Sequence, residues 1–159
     1  MKKPTAFMIH GYLGAGKTVF AERLSARTGA LRYSPDELMV ERHGHDPPES
    51  HFADYLERIY ADLNVEWPKT LATGRDVVLD FGFWTRAFRD DARTRANRAG
   101  AQTKLYFVYC SEPTARTRCL LRNQNPQKSL YVSENTFDLL KSRFEPLSPD
   151  EPFELVETD

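Results

Sequence analysis

Gly11-Tyr12-Leu13-Gly14-Ala15-Gly16-Lys17-Thr18 fits the pattern G-x-x-x-x-G-K-[ST], the loop whose consecutive backbone N–H groups curl around phosphate oxygens. Three glycines permit that curl. Lys17 then reaches the β- and γ-phosphates, and the Thr18 hydroxyl is a ligand for Mg²⁺. The flanks agree with this reading. Thr5 to His10 is a short β-prone run, and Thr18 to Arg27 carries a helical pattern ending near Gly29. A helix starting at Gly16 adds its positive N-terminal end to the anion site. The bland alternative is a glycine-rich turn in an ordinary strand–helix unit. Motif and context together favour phosphate binding, with Gly11, Leu13, Gly14, Ala15, Gly16, Lys17, Thr18 and Val19 as the nucleotide-contacting set.

Outward from the loop, strands alternate with helices. Ala30 to Tyr33 reads as a second strand, and Ser34-Pro35-Asp36-Glu37 as a helix start with a serine cap, a proline in the first turn and a glutamate three residues after the cap. His43 to Ser50 is a polar loop. His51 to Thr73 has an apolar face at helical spacing, which Pro68 is expected to bend or interrupt. Asp76 to Phe81 is a third strand, Arg86 to Ala99 a helix closed by Gly100, and Lys104 to Tyr109 a fourth strand. Helices over Pro113–Arg122 and Glu134–Phe144 flank a polar connection, Asn123 to Val132, and Phe153 to Val156 is the last strand. Such alternation implies a parallel sheet covered on both faces, with ligands beyond the carboxyl ends of the strands. The glycine loop, Asp36, Asp80 and Cys110 should therefore share one edge.

Composition sets the outer limits. At 159 residues the chain suits a single domain, 1–159, with one core. Lys plus Arg number 22 against 23 for Asp plus Glu, a net charge of −1, which argues against a protein that coats nucleic acid. Two cysteines make neither a disulfide framework nor a four-ligand zinc site. No apolar run is long enough to span a bilayer, no secretory stretch is visible, and a cytoplasmic location is the expectation.

Several side chains are candidates for chemistry. Asp80 ends the apolar run Val77-Val78-Leu79, where a carboxylate can hold Mg²⁺ opposite Thr18. Asp36 is either a favourable charge at a helix start or a general base for an acceptor hydroxyl. Arg118 and Arg122, four apart on one helix face, precede a polar segment that could close over a nucleotide as a lid at about 123–133; the alternative is a solvated face. Most of the arginines from Arg86 to Arg98 interleave with Asp90 and Asp91 as exposed pairs, leaving Arg86 and Arg89 as candidate substrate contacts. Trp84 could stack on an acceptor ring. His43, His45 and His51 lack metal-ligand spacing and read as a polar loop, and Cys110 as a small buried residue.

These segments together resemble the small P-loop kinases related to polynucleotide 5′-hydroxyl kinases, chloramphenicol phosphotransferase and zeta-type toxins, and especially the compact AAA_33-type ATP-binding proteins. The resemblance rests on Gly11 to Thr18, Ser34-Pro35-Asp36-Glu37-Leu38, Leu79 to Asp90, Arg118-Cys119-Leu120-Leu121-Arg122-Asn123 and Phe144-Glu145-Pro146. It implies a three-layer α/β/α P-loop NTPase fold of kinase type, a five-stranded parallel sheet of order 2-3-1-4-5 and a small lid. It also implies Mg²⁺ and ATP, Lys17 and Thr18 as nucleotide and metal ligands, Asp36 as the acceptor-activating acid, and Arg122 with Arg118 as lid arginines. No guanine-reading Asn/Thr-Lys-x-Asp run is present, which by the same resemblance favours adenine.

The leading expectation is an ATP-dependent phosphotransferase acting on a hydroxyl of a small-molecule or nucleotide-like acceptor. Two alternatives stand beside it. One is a polynucleotide 5′-hydroxyl kinase, disfavoured by the near-neutral charge. The other is a nucleotide-binding switch module that has no acceptor.

Overall fold

A computed structural model describes residues 2–125 and 129–159. Its strands are β1 (Thr5–His10), β2 (Leu31–Tyr33), β3 (Val77–Gly82), β4 (Gln102–Tyr109) and β5 (Glu154–Glu157). They form one sheet in the order β2-β3-β1-β4-β5, every neighbouring pair parallel. The helices are α1 (Lys17–Thr28), α2 (Pro35–His43), α3 (Glu49–Ala72), α4 (Arg86–Arg98), α5 (Glu112–Arg122) and α6 (Glu134–Leu140), the last extended by a 3₁₀ turn at Lys141–Arg143. Among the described residues no helix is long and apolar enough to cross a membrane.

Two cores sandwich the sheet, and strand alternation decides which residue joins which. Ala6 and Met8 of β1, Val77 and Leu79 of β3 and Leu105 of β4 pack with α2, α3 and α4 through Met39, Ile59, Trp67, Ala92 and Ala96. Ile9, Val78, Tyr106 and Val108 face the other way, onto Ala21 and Leu24 of α1, Ala115 and Cys119 of α5 and Phe137 of α6. The same period of two puts Asp80 on the Val78 side, over the start of α1.

Local chemistry explains the helix ends. Ser34 caps α2 by accepting from Glu37 N–H at 3.3 Å, with Pro35 in the first turn, as its sequence predicts. Thr85 caps α4 through Phe88 N–H at 3.1 Å. Pro68 does not interrupt α3, which runs unbroken from Glu49 to Ala72. Burial of Ile59, Leu63, Trp67 and Leu71 along one face stabilises the helix by about 1.5–3 kcal/mol for each full side chain, enough to offset the ~3 kcal/mol cost of an interior proline.

The sheet is irregular where it meets the glycine loop. Met8 pairs with Leu79 but His10 pairs with Gly82, so β3 carries one extra residue opposite β1. Gly82 then turns at φ +76° and Phe83 at φ +50°, a left-handed conformation rare for a bulky side chain. Two donors hold that turn through the Phe83 carbonyl: His10 Nδ1–H at 2.9 Å and Arg89 Nη1 at 2.8 Å. Gly82 O in turn accepts from Gly11 N–H at 3.1 Å, which ties the end of β3 to the first residue of the loop.

Candidate active site

The loop between β1 and α1 is closed on itself and braced from three sides. Lys17 Nζ donates to the Tyr12 carbonyl at 2.8 Å. Trp84 Nε1 donates to Gly11 O at 3.0 Å and its ring stacks on Tyr12, centroids 5.3 Å apart at 26°. The Tyr12 hydroxyl donates to Phe137 O on α6. Gly14, at φ +75°, lies against α5 so closely that a β-carbon there would sit 2.2 Å from the Ala115 carbonyl; only glycine fits. Gly16 holds the N-cap position of α1. Leu13 and Ala15 line the loop, Ala15 buried and Leu13 partly so, and Val19 is exposed on the first turn of α1.

Thr18 and Asp80 meet as their positions suggest: the Thr18 hydroxyl donates to Asp80 Oδ2 at 3.2 Å. Burial pushes the Asp80 carboxyl up to about 6, with Asp36 adding to the rise and Lys17, Arg32 and the Thr18 hydroxyl opposing it. Burial likewise lowers the Lys17 ammonium pKa, against the attraction of Asp80 and Asp36. Asp36, in the first turn of α2, keeps an exposed face. Desolvation of its carboxyl raises its pKa, and Lys17 and Arg122 counter it. The hydroxyl of Tyr60 on α3 is raised by burial and then by both Asp36 and Asp80, which places it in the same electrostatic neighbourhood. One ammonium thus senses two carboxylates from separate strand ends, the shared edge expected from a parallel sheet.

An oxygen-only donor pair of one hydroxyl and one carboxylate beside a phosphate loop suits Mg²⁺, which is held by one or two carboxylates together with substrate phosphates. No group of three or more His, Cys, Asp or Glu side chains that could hold a metal occurs among the described residues. The three histidines do not share one loop: His43 ends α2, His51 lies in the first turn of α3 and only His45 is between them, and all three are engaged otherwise. His43 lies face to face with Tyr55 at 3.5 Å, His51 stacks on the same ring at 5.7 Å, and His45 Nδ1–H donates to Ser129 O.

The arginines divide in a way their spacing does not reveal. Arg89, expected as a substrate contact, is fully buried. Its guanidinium donates to both Glu151 oxygens at 2.9 and 3.0 Å and to the Phe83 carbonyl, so it is an internal brace that no acceptor can reach. Arg86 is half-buried and committed to Asp90 at 3.1 Å and Asp150 at 2.8 and 2.9 Å. Arg118 is likewise a brace. It donates to the Gly14 and Ala15 carbonyls at 3.3 and 3.4 Å and to Thr158 Oγ1 at 2.8 Å, which holds the back of the loop. Arg122 keeps its charge toward the cleft, where it acts on both Lys17 and Asp36, with a weak contact to Cys119 Sγ at 3.8 Å. Trp84 is a wall of the loop through Tyr12 and Gly11. Cys110 and Cys119 are both buried.

Past Arg122, the expected lid has a closed stem. The Asn123 side chain donates to Val132 O at 2.8 Å and accepts from Val132 N–H at 2.9 Å. Residues 126–128 of the segment expected to form a lid lie outside the described residues. Tyr131 N–H bonds His45 O at 2.9 Å, so the far side of the stem rests on the loop that follows α2.

Arg32, which sequence reasoning passed over, completes the site. It stands in β2 with Nη2 on Glu37 at 2.5 Å and Nη1 3.5 Å from Asp80 Oδ2. The available signal was a cation in the middle of a three-residue strand.

The sequence profile of the AAA domain family AAA_33 matches residues 7–147. No curated protein gives a significant sequence match. Among solved structures, a putative kinase from Chloroflexus aurantiacus superposes with a TM-score of 0.78 at 17% identity, covering 98% of this chain and 88% of that one. Kti12 of Chaetomium thermophilum, solved with ADP-AlF3, gives 0.72 at 16% identity over 97% and 89%. A gluconokinase from Sinorhizobium meliloti gives 0.62 at 17% identity over 98% and 82%. The strand order, the loop and these likenesses agree on a P-loop kinase fold, and the chain belongs to the AAA_33 family of AAA domains.

Proposed function

We propose that the protein is a Mg²⁺- and ATP-dependent phosphotransferase that moves the γ-phosphate to a hydroxyl of a small-molecule or nucleotide-like acceptor. The observation that carries this reading is the convergence of Lys17, Thr18 and Asp80 with a second carboxylate, Asp36, whose charge reaches Lys17 from the α2 side. A nucleotide-binding module needs the first three alone; the fourth gives an acceptor hydroxyl a place to lose its proton.

In this reading the loop N–H groups and the start of α1 bind the phosphates, and Lys17 exchanges the Tyr12 carbonyl for the β- and γ-oxygens. Thr18 and Asp80 would hold Mg²⁺, which supplies charge neutralisation on the phosphates. Asp36 orients the acceptor hydroxyl and takes its proton as the oxygen bonds to the γ-phosphorus. The bond from that phosphorus to the β,γ-bridging oxygen breaks, and its electron pair leaves with ADP. The raised pKa of Asp36 makes it a better proton acceptor than an ordinary surface carboxylate. Arg122 stabilises charge on the transferring group. Positioning and electrostatics carry the catalysis.

The test is a screen of γ-labelled ATP against small alcohols, sugars, nucleosides and 5′-hydroxyl oligonucleotides. Lys17→Ala should abolish both binding and transfer. Asp36→Asn should keep nucleotide binding and lower transfer by about 10²–10⁴-fold. Preference for oligonucleotide ends would turn the reading toward a polynucleotide kinase. ATP binding with slow hydrolysis, no acceptor and no effect of Asp36→Asn would replace it with a nucleotide switch.

A further inference from the structure

We propose that Arg32 is a positioning residue for Asp80: it spans from Glu37 at the start of α2 to Asp80 at the end of β3 and holds that carboxylate against Thr18. The inference rests on the Mg²⁺-nucleotide reading above and adds a residue to it.

Three observations carry it. The first is register. Arg32 lies opposite Val78 in the parallel β2–β3 pair, and two residues beyond Val78, on the same face, is Asp80. A side chain at position 32 therefore runs alongside Val78 toward the carboxyl edge of the sheet. Val78 itself is core, so an apolar residue is what packing alone would select beside it.

The second is the state of the guanidinium. Its Nη1 is enclosed by protein and has no hydrogen-bond partner, although Nη2 is satisfied by Glu37 at 2.5 Å. An enclosed donor without a partner costs about 1–3 kcal/mol. Nη1 is aimed at Asp80 Oδ2, 3.5 Å away, a charge contact just longer than a hydrogen bond.

The third is what shares that oxygen. Asp80 Oδ2 accepts the Thr18 hydroxyl at 3.2 Å from one side while Arg32 stands on the other. The carboxylate is thus held between a donor on α1 and a cation on β2, and Glu37 anchors the cation to the helix that bears Asp36. Partners of this kind orient a metal-binding carboxylate, and their loss weakens metal affinity by about 10–100-fold.

The experiment is calorimetric titration of the whole protein with β,γ-imido-ATP, with Mg²⁺ and separately with EDTA. The wild type should bind more tightly with Mg²⁺. Arg32→Met should leave the affinity in EDTA unchanged and lose about tenfold or more of the Mg²⁺-dependent gain, and Arg32→Lys should recover part of it. Glu37→Gln, which removes the outer anchor and leaves Arg32 in place, should show a smaller loss of the same kind and serves if Arg32→Met does not fold. An unchanged Mg²⁺ gain in the variants overturns the proposal, and so does an equal loss with and without Mg²⁺, which would mark Arg32 as a structural residue only. A wild type whose affinity does not respond to Mg²⁺ would overturn this inference together with the metal-dependent reading of the site; a responsive wild type with indifferent variants would overturn the inference alone.

Discussion

Arg89 and Glu151, 62 positions apart, form a two-pronged ion pair at 2.9 and 3.0 Å with side-chain exposures of 0% and 1%. Through the Phe83 and Glu145 carbonyls the same guanidinium reaches the turn after β3 and the segment after α6. One buried cation therefore fastens the turn that carries Trp84, and with it one wall of the phosphate loop.

Breaking this pair should be costly. Burial would raise the Glu151 pKa, but hydrogen bonds from Arg89, Ser148 N–H and Arg93 bring it down to about 2. Arg89→Met leaves the carboxylate buried without its main partner, a loss of about 3–5 kcal/mol in urea unfolding. Replacing both residues by apolar ones should recover much of it. Stability near that of the wild type for Arg89→Met would contradict the brace assignment.

His10 should make the fold acid-sensitive. Burial lowers its pKa from 6.5 to about 4; the hydrogen bond to Phe83 O works against this, and Arg89 and Lys17 add to it. The unfolded chain then takes up a proton at higher pH than the native one does, so stability falls as pH drops from 6.5 to about 4. The loss is on the order of 3 kcal/mol at the end of that window. Denaturant midpoints across it should be flatter for His10→Gln, and an identical slope would show that His10 is not the group responsible.

Trp84→Phe keeps a ring against Tyr12 and deletes the donor to Gly11 O. Losing one such bond should weaken nucleotide binding and stability each by about 1 kcal/mol. Trp84 fluorescence should also change on nucleotide addition, and the signal should vanish in Trp84→Phe while Trp67, fully buried in the other core, is retained.

Arg118 and Arg122 should separate in kinetics. Arg118→Ala removes a support of the loop carbonyls and should raise the KM for ATP, with little change in kcat. Arg122→Ala removes a charge that faces the cleft and should lower kcat by about 10-fold or more, with ATP affinity less affected. The reverse pattern would exchange their roles.

Much of this site is legible along the chain because its signals are local. The loop needs glycines and Lys-Thr in one run of eight. The cap of α2 needs Ser34 and Pro35 side by side, and Asp80 needs only to follow an apolar strand. Arg122 could be nominated from helix spacing alone. What misled was charge. Arg86, Arg89, Arg118 and Arg122 present the same chemistry to a reader of spacing, yet the first three find partners in Asp150, Glu151 and Thr158, which the last strand and its approach bring back into reach, while Arg122 finds none of these.

Strand, loop and helix order, the phosphate loop and the two carboxylates were thus decided by neighbours within a few residues, whose backbone preferences act over one turn or one pleat. Which arginine braces and which faces the cleft, why Pro68 leaves α3 whole, and that Arg32 stands beside Asp80 were decided only by folding. Ion pairing and burial depend on distance in space, and β2, β3 and the residues after α6 become neighbours only once the sheet is assembled.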